Sequence, residues 1–475
     1  MDDRRARLLD GKLGWGVLAM GAPLALAMGL YGLFNVVDAV MISGLPNAGA
    51  ALAALAVCDM VGAVAAIVGN GLSTAAAARI AERLGRDDRP GVARAIVQST
   101  QVVVLLSVVF GLVGVMGSDW VVRTLVRTRG EPAAIAVSYL QVTVGGALSI
   151  FALLQLTAVL RALGYAGLSA SLFVAGNLLN VVFNGLLIYG QGPRPAWIAV
   201  FAPLAEALGA PALGVLGAAV GTVLARMVPV AIGSLWLLAH MRKMRLNTPS
   251  WPWSRDEMRS LWSVAWPVAA QQLVHVLAIL AFIALINVAY TRDHDATVLT
   301  AYGICLRLET FVLFVCVGWG SGAATYMGVS RGAGKVQRAV RAGWIASGYG
   351  LLSGLALYYA YSRWGADLIA FFDADPEVVA DGRRYLAVVA LSYPLLGAGT
   401  VLSLAMSGAG ATRPGLVVDA LAFWALAIPL SLLLVFGLGG MEEALFLAIA
   451  LGNAAAGLGF IVYYRSRASA IAVLG

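Results

Sequence analysis

Charge is scarce in this sequence: Asp, Glu, Lys and Arg make up 12% of its 475 residues, while 61% are hydrophobic and the mean hydropathy is +0.87. A soluble domain carries about 25% charged residues, which it needs to face water, so the shortage excludes an ordinary soluble globular chain. Cysteine is scarcer still, with only Cys58, Cys305 and Cys316. All three fall in apolar stretches without disulfide or metal-ligand spacing, which excludes a disulfide scaffold or zinc module and leaves packing as their role. There is no P-loop, no G-x-S-x-G and no clustered set of His, Cys and Asp ligands. An ATP-driven pump and a membrane hydrolase therefore lack their parts, no enzyme activity or cofactor is expected, and the energy for any transport comes from elsewhere.

Long apolar runs are what the sequence has in abundance. Twelve recur, at 15–43, 50–78, 93–117, 134–160, 166–190, 212–240, 262–290, 297–328, 339–361, 383–407, 415–437 and 441–464. They have the length that α-helices need to cross a hydrocarbon core about 30 Å thick. The first run follows MDDRRARLLDGKLG, outlasts a signal-peptide core and meets no cleavage site before the second, so it reads as a retained span. The expectation is an all-α integral membrane protein of 12 transmembrane helices. If the amino terminus is cytoplasmic, the two tails and the even-numbered connections hold most of the 32 Lys and Arg residues, and only Arg226 and Arg307 fall inside spans. That asymmetry places both termini in the cytoplasm and absorbs the net charge of +8, so no nucleic-acid partner is needed.

The chain also resembles itself. GNGLSTAAAARIAERLGR (69–86) aligns without gaps on GWGSGAATYMGVSRGAGK (318–335), pairing Gly69 with Gly318, Gly71 with Gly320 and Gly85 with Gly334 at a spacing of 249. LRALGYAG (160–167) and MSGAGATR (406–413) pair Gly164 with Gly410, and Pro23 and Pro267 sit 244 apart. Two halves of six spans follow, and because six is even they form a parallel repeat about an axis along the membrane normal. The expected division is an amino-terminal six-helix bundle over 1–240, a cytoplasmic linker over 241–261 and a carboxyl-terminal six-helix bundle over 262–475. Helix packing is the competing role for the paired glycines, since small residues let backbones approach.

Ionisable groups inside spans cost about 2.5–3.5 kcal/mol or more, so each calls for a reason. Asp38 lies near the end of span 1, where it can carry a proton, coordinate Na⁺ if other oxygens converge on it, or be a buried hydrogen-bonded side chain. In NLLNVVFNGLLI (177–188) of span 5, Asn177, Asn180 and Asn184 recur three and four apart and share one helix face. Ala218 and Thr222 of span 6, also four apart, can offer a backbone carbonyl and a hydroxyl to the same polar pocket. Interhelical hydrogen bonding is the alternative for this stripe. The second half offers Gln271, Gln272 and His275 in span 7 and Arg307 and Glu309 in span 8. An Arg and a Glu two apart on a helix do not face each other, so each needs a partner elsewhere. Asp59 reads as nearer the outer side, while Arg226, His240 and Asp419 read as interfacial.

Taken in order, Pro23 with Asp38, the two glycine-rich blocks, LRALGYAG, NLLNVVFNGLLI, LGVLGAAVGT, YGICLRLE, SGAGATRP and FWALAIPLSLLL (423–434) resemble the multidrug and toxic compound extrusion (MATE) family of the multidrug/oligosaccharidyl-lipid/polysaccharide exporter superfamily. The resemblance covers nearly the whole chain. It implies twelve helices in two bundles with a V-shaped central cleft, and export of amphipathic, often cationic compounds in exchange for H⁺ or Na⁺, here from a bacterial inner membrane. It assigns Asp38 as the cation-coupling carboxylate, joined by Asn180, Asn184, Ala218 and Thr222, with Pro23 as the hinge of span 1. Na⁺ would be held by Asp38, Asn180, Asn184 and Thr222. Asn184 departs from the family pattern, which places a second acid there, and a single carboxylate favours H⁺. Gln271, His275, Arg307 and Glu309 are the candidates for a second polar site. The expected partners are a small amphipathic organic substrate and the bilayer, with the protein acting as a monomer. A flippase for a lipid-linked saccharide, from the same superfamily, is the rival; it would want a more cationic cavity than Arg226 and Arg307 supply.

Overall fold

The computed structural model describes residues 2–243, 253–290, 296–437 and 441–473, and among these every regular element is helical. The centre of the expected linker, 244–252, lies outside the described residues. After a short helix, Asp2–Asp10, the spans begin. The first is Leu13–Ser43, an unbroken helix despite Pro23, which removes one of its hydrogen bonds. Spans 2 and 3 are Ala48–Gly85 and Arg89–Leu125, the latter ending in a π-helical turn. Span 4 is a bent pair, Gly130–Thr143 and Ala147–Ala162, and spans 5 and 6 are Ala166–Leu187 and Val215–Lys243. The second half repeats the sequence of lengths with Arg255–Tyr290, Thr297–Gly332, Val336–Phe372, Pro376–Gly408, Arg413–Gly437 and Glu442–Val473. Ten of these are long and apolar enough to cross a membrane, and the bent pair makes an eleventh. Val336–Phe372, with 37 residues, is long enough to be the twelfth and is more polar than the rest.

Two matched irregularities mark the repeat in the backbone. Span 4 bends by 47° at Gly145 and Gly146, a glycine pair with little to hold the helix straight. In span 10 the helix gives way to a 3₁₀ turn at Ala390–Ser392, before Pro394, 246 residues after 144–146. Each of these spans then ends on a glycine in the left-handed region, Gly164 at φ +82° and Gly410 at φ +76°. Gly85 and Gly334 align in sequence but differ in task. Gly334 is a left-handed turn residue at φ +72°, whereas a Cβ on Gly85 would overlap the Val329 carbonyl, so Gly85 permits a backbone contact. Span 10 starts with Pro376 in its first turn and Asp375 as its cap, accepting the Glu377 N–H at 2.9 Å.

By packing, the chain divides into two compact units that do not coincide with the repeat. One comprises Leu30–Ala76 and Arg89–Trp262; the other comprises Met1–Gly29, Ala77–Asp88 and Ser263–Gly475. Span 1 is thus shared, passing from one unit to the other six residues after Pro23. The core of the first unit is built of small side chains, such as Ala54, Ala133 and Ala136 around Val122 and Leu140, and the Tyr189 hydroxyl donates to the Met41 carbonyl at 2.5 Å. Tyr385, Tyr393, Tyr464 and Phe446 are the large fully buried groups of the second. Outside, span 3 shows Val104, Leu105, Val108, Val109, Leu112 and Met116 exposed, an apolar stripe suited to a lipid environment. Trp15, Trp120, Trp262 and Trp364 are exposed near helix ends, where an indole spans the boundary between lipid and water.

Candidate functional site

Asp38 lies five residues before span 1 ends at Ser43, and its side chain is half-buried. Asn180 and Asn184, one turn apart on span 5, are 8% and 0% exposed and turn their amides toward it. The Asn184 Nδ2 donates to Asp38 Oδ1 at 2.8 Å. The Asn180 amide bridges Asp38 to Thr222, with one end 2.7 Å from Asp38 Oδ1 and the other 3.0 Å from Thr222 Oγ1. Gly221 makes room for this arrangement, since a Cβ there would overlap the Asn184 amide oxygen. That oxygen is buried and has no hydrogen-bond partner among the described residues. Ala218, one turn before Thr222, is buried in an apolar cluster with Met41, Ile42, Ile188 and Tyr189.

This geometry admits two proton arrangements with the same heavy atoms. When Asp38 is ionised, the Asn180 nitrogen faces the carboxylate and its oxygen accepts from the Thr222 hydroxyl. When Asp38 is protonated, the amide turns over: its oxygen accepts from the acid, and its nitrogen donates to Thr222 at 3.0 Å. The Thr222 hydroxyl serves both because it can donate or accept. The groups hydrogen-bonded to the carboxylate, directly or through Asn180, are thus neutral and accommodate either charge state.

Two groups that the sequence did not assign to this site belong to its field. Arg226 is half-buried and lies one turn beyond Thr222, within electrostatic reach of Asp38, as does Asp59 of span 2. The four-residue spacing from Thr222 to Arg226 was the available signal. Asn177 takes no part in this cluster; its amide donates to the Phe173 carbonyl of its own helix at 3.0 Å.

The second-half candidates are distributed over separate surroundings. Glu309 is 7% exposed and accepts from Tyr385 Oη and from Asn453 Nδ2, each at 2.8 Å. Arg307, two residues earlier, is exposed. Gln271 donates to Asp419 Oδ2 at 2.8 Å and to Ser403 Oγ at 3.2 Å. Asp419 is 9% exposed, a buried carboxylate held from span 7. His275 packs edge-on against Phe423 with ring centroids 5.1 Å apart, and His240 stacks on Trp236 at 3.9 Å. Among the described residues no three His, Cys, Asp or Glu side chains are grouped to hold a metal ion.

A family model described as MatE matches residues 23–186 and, a second time, residues 268–433. The chain belongs to the MatE family. The double match shows the two repeated halves, and the first segment contains Asp38, Asn180 and Asn184. Among curated relatives, the "Probable multidrug resistance protein YpnP" of Bacillus subtilis (strain 168) is 26% identical over 93% of each chain. A "Probable multidrug resistance protein NorM" of Deinococcus radiodurans is 26% identical over 84% of each. A "FAD transporter" of Shewanella oneidensis is 25% identical over 91% of this chain and 90% of that one. In fold, the chain superposes on a MATE structure described as in the straight conformation with a TM-score of 0.87, at 20% identity and 98% coverage of both chains. A transporter of the wider superfamily from Pyrococcus furiosus gives 0.85 at the same identity. This MatE protein is therefore a multi-pass membrane protein whose relatives include proteins named for multidrug resistance and a transporter.

Proposed function

We propose that this protein exports small amphipathic, cationic drugs or metabolites from a bacterium by antiport with H⁺. It works by alternating access as a monomer in the inner membrane, with both termini cytoplasmic and Pro23 as the hinge of span 1. The observation that carries this reading is one carboxylate, Asp38, in contact with two amides and through them with Thr222. Ionised, Asp38 offers a negative charge that a cationic substrate can balance; protonated, it is neutral. A ligand moves a conformational equilibrium only by binding its states differently, and exchange of a proton for substrate supplies that difference. The relatives named for multidrug resistance support the substrate class.

Na⁺ is the less favoured coupling ion. Hard cations take oxygen ligands, and with Asp38 ionised the groups nearest its oxygens are two N–H donors, from Asn180 and Asn184. Building a cage from Asp38, Asn180, Asn184 and Thr222 would require both amides to turn, around one negative charge.

The test is efflux of a fluorescent cationic dye from proteoliposomes under an imposed pH or Na⁺ gradient, with wild type beside Asp38→Asn. A pH gradient alone should drive the wild type, and the variant should lose that response. Efflux driven only by Na⁺ would overturn H⁺ coupling, and undiminished efflux by the variant would overturn the role of Asp38. Because one relative is a FAD transporter, FAD is the second cargo to load in the same vesicles.

A further inference from the structure

In the unit containing residues 263–475, the ends of spans 2, 7, 8, 10, 11 and 12 line an open cavity of about 660 Å³. Arg79, Arg331, Arg413 and Thr412 line one side of it, and Val417, Val418 and Ile471 line another. Two of the arginines are drawn in from water: the side chain of Arg331 is 10% exposed and that of Arg79 is 25% exposed. Glu82 lies 3.3 Å from Arg79 and 3.9 Å from Arg331, and it is also paired with Arg86. Glu82 alone, shared by three guanidinium groups, does not neutralise them all, and Arg413 adds a further positive charge to the lining. Arg79 Nε and Thr412 Oγ1 are also buried without hydrogen-bond partners among the described residues. Thr412 is only 2% exposed, so an outside donor or acceptor reaches it only from within the cavity.

The apolar wall indicates which anion fits. Val417 is 53% exposed and heads a stripe of exposed residues on span 11, with Leu421 at 59% and Trp424 at 43% following at helical spacing. Arg413 stands at the start of that helix. A cationic pocket therefore opens onto a surface made for acyl chains. We propose that the cavity binds the phosphate of an anionic phospholipid. Guanidinium groups take phosphate oxygens in bidentate fashion, and basic pockets between membrane helices hold such head groups. The acyl chains then lie over Val417 and the span 11 stripe. This site is separate from Asp38 and does not depend on the coupling ion.

The test is native mass spectrometry of the full-length protein in detergent, titrated with phosphatidylglycerol or with phosphatidylcholine of the same acyl chains. Phosphatidylglycerol should be retained in preference to phosphatidylcholine. Arg79→Gln and Arg413→Gln should each lower its retention roughly fivefold, the effect of one arginine near an anionic head group. Arg242→Gln, at an exposed arginine on span 6, should leave it unchanged. Arg413 is itself exposed, so its variant tests the site even if loss of the Arg79–Glu82 pair impairs folding. Millimolar glycerol 3-phosphate should not displace the lipid. Equal retention of the two lipids, unchanged retention by the Arg413 variant, or displacement by glycerol phosphate would each overturn the proposal, the last by identifying a soluble phosphate ligand.

Discussion

Glu82 and Arg331 occupy the same place in the two halves of the repeat, 249 residues apart, and their carboxylate and guanidinium lie 3.9 Å from each other. The backbones beneath them touch as well, since a Cβ on Gly85 would overlap the Val329 carbonyl and one on Gly332 would overlap that of Glu82. No rotamer relieves a clash between a Cβ and a backbone carbonyl. Gly332→Val should therefore lower stability by about 1–3 kcal/mol, the usual range for overpacking. Thermal unfolding of the purified protein should show a lower transition; an unchanged one would mean that spans 2 and 8 can separate there without loss.

Asn184→Asp restores a second carboxylate beside Asp38. Two acids in hydrogen-bond reach raise the negative charge available to offset the desolvation of Na⁺. The expected outcome is dye efflux that responds to a Na⁺ gradient in the variant and not in wild type. The same proteoliposomes report it, and a variant as insensitive to Na⁺ as wild type would show that charge count does not select the ion here.

Thr222→Val keeps the shape and removes the group that completes the Asn180 bridge in both proton arrangements. An unpaired buried amide end costs about 1–3 kcal/mol in general and less between membrane helices, where about 0.6 kcal/mol is typical. The pH-driven efflux rate should fall by roughly threefold to tenfold with H⁺ still the driving ion. Thr222→Ser, which retains the hydroxyl, should restore most of it.

Glu309→Gln tests the other buried acid. An amide cannot accept from both the Tyr385 hydroxyl and the Asn453 amide without turning an N–H toward one of them, so stability should drop by about 1–3 kcal/mol. Coupling placed at Asp38 predicts that the pH dependence of efflux keeps its wild-type midpoint. A shifted midpoint with unchanged stability would move part of the proton exchange to Glu309.

The spans were legible because crossing a bilayer imposes a length and a composition that few other tasks impose. Even the polar ninth, Val336–Phe372, showed as the run 339–361. The Asn180, Asn184 and Thr222 positions were legible because helical spacing of three and four puts polar side chains on one face. Partners across helices were not. Nothing in the local pattern ties Gln271 to Asp419, 148 residues away, or Tyr385 and Asn453 to Glu309, 76 and 144 residues away. Such pairs are fixed by how helices pack, which small residues permit but do not encode. The glycine alignment was similarly blunt, matching Gly85 to Gly334 although one serves a contact and the other a turn.

The asparagine at 184 has an electrical consequence. A site with one carboxylate is neutral when protonated and neutral again when it balances a monovalent cation, so neither limb of the proposed exchange moves net charge through it. A transmembrane voltage acts at about 2.3 kcal/mol per elementary charge for each 100 mV, and with Arg226 and Asp59 fixed beside Asp38 the exchange would leave the net charge of the site unchanged. Export of monovalent cations would then follow acidity outside the cell and be indifferent to membrane potential, whereas a divalent cargo would be held back or hastened by it.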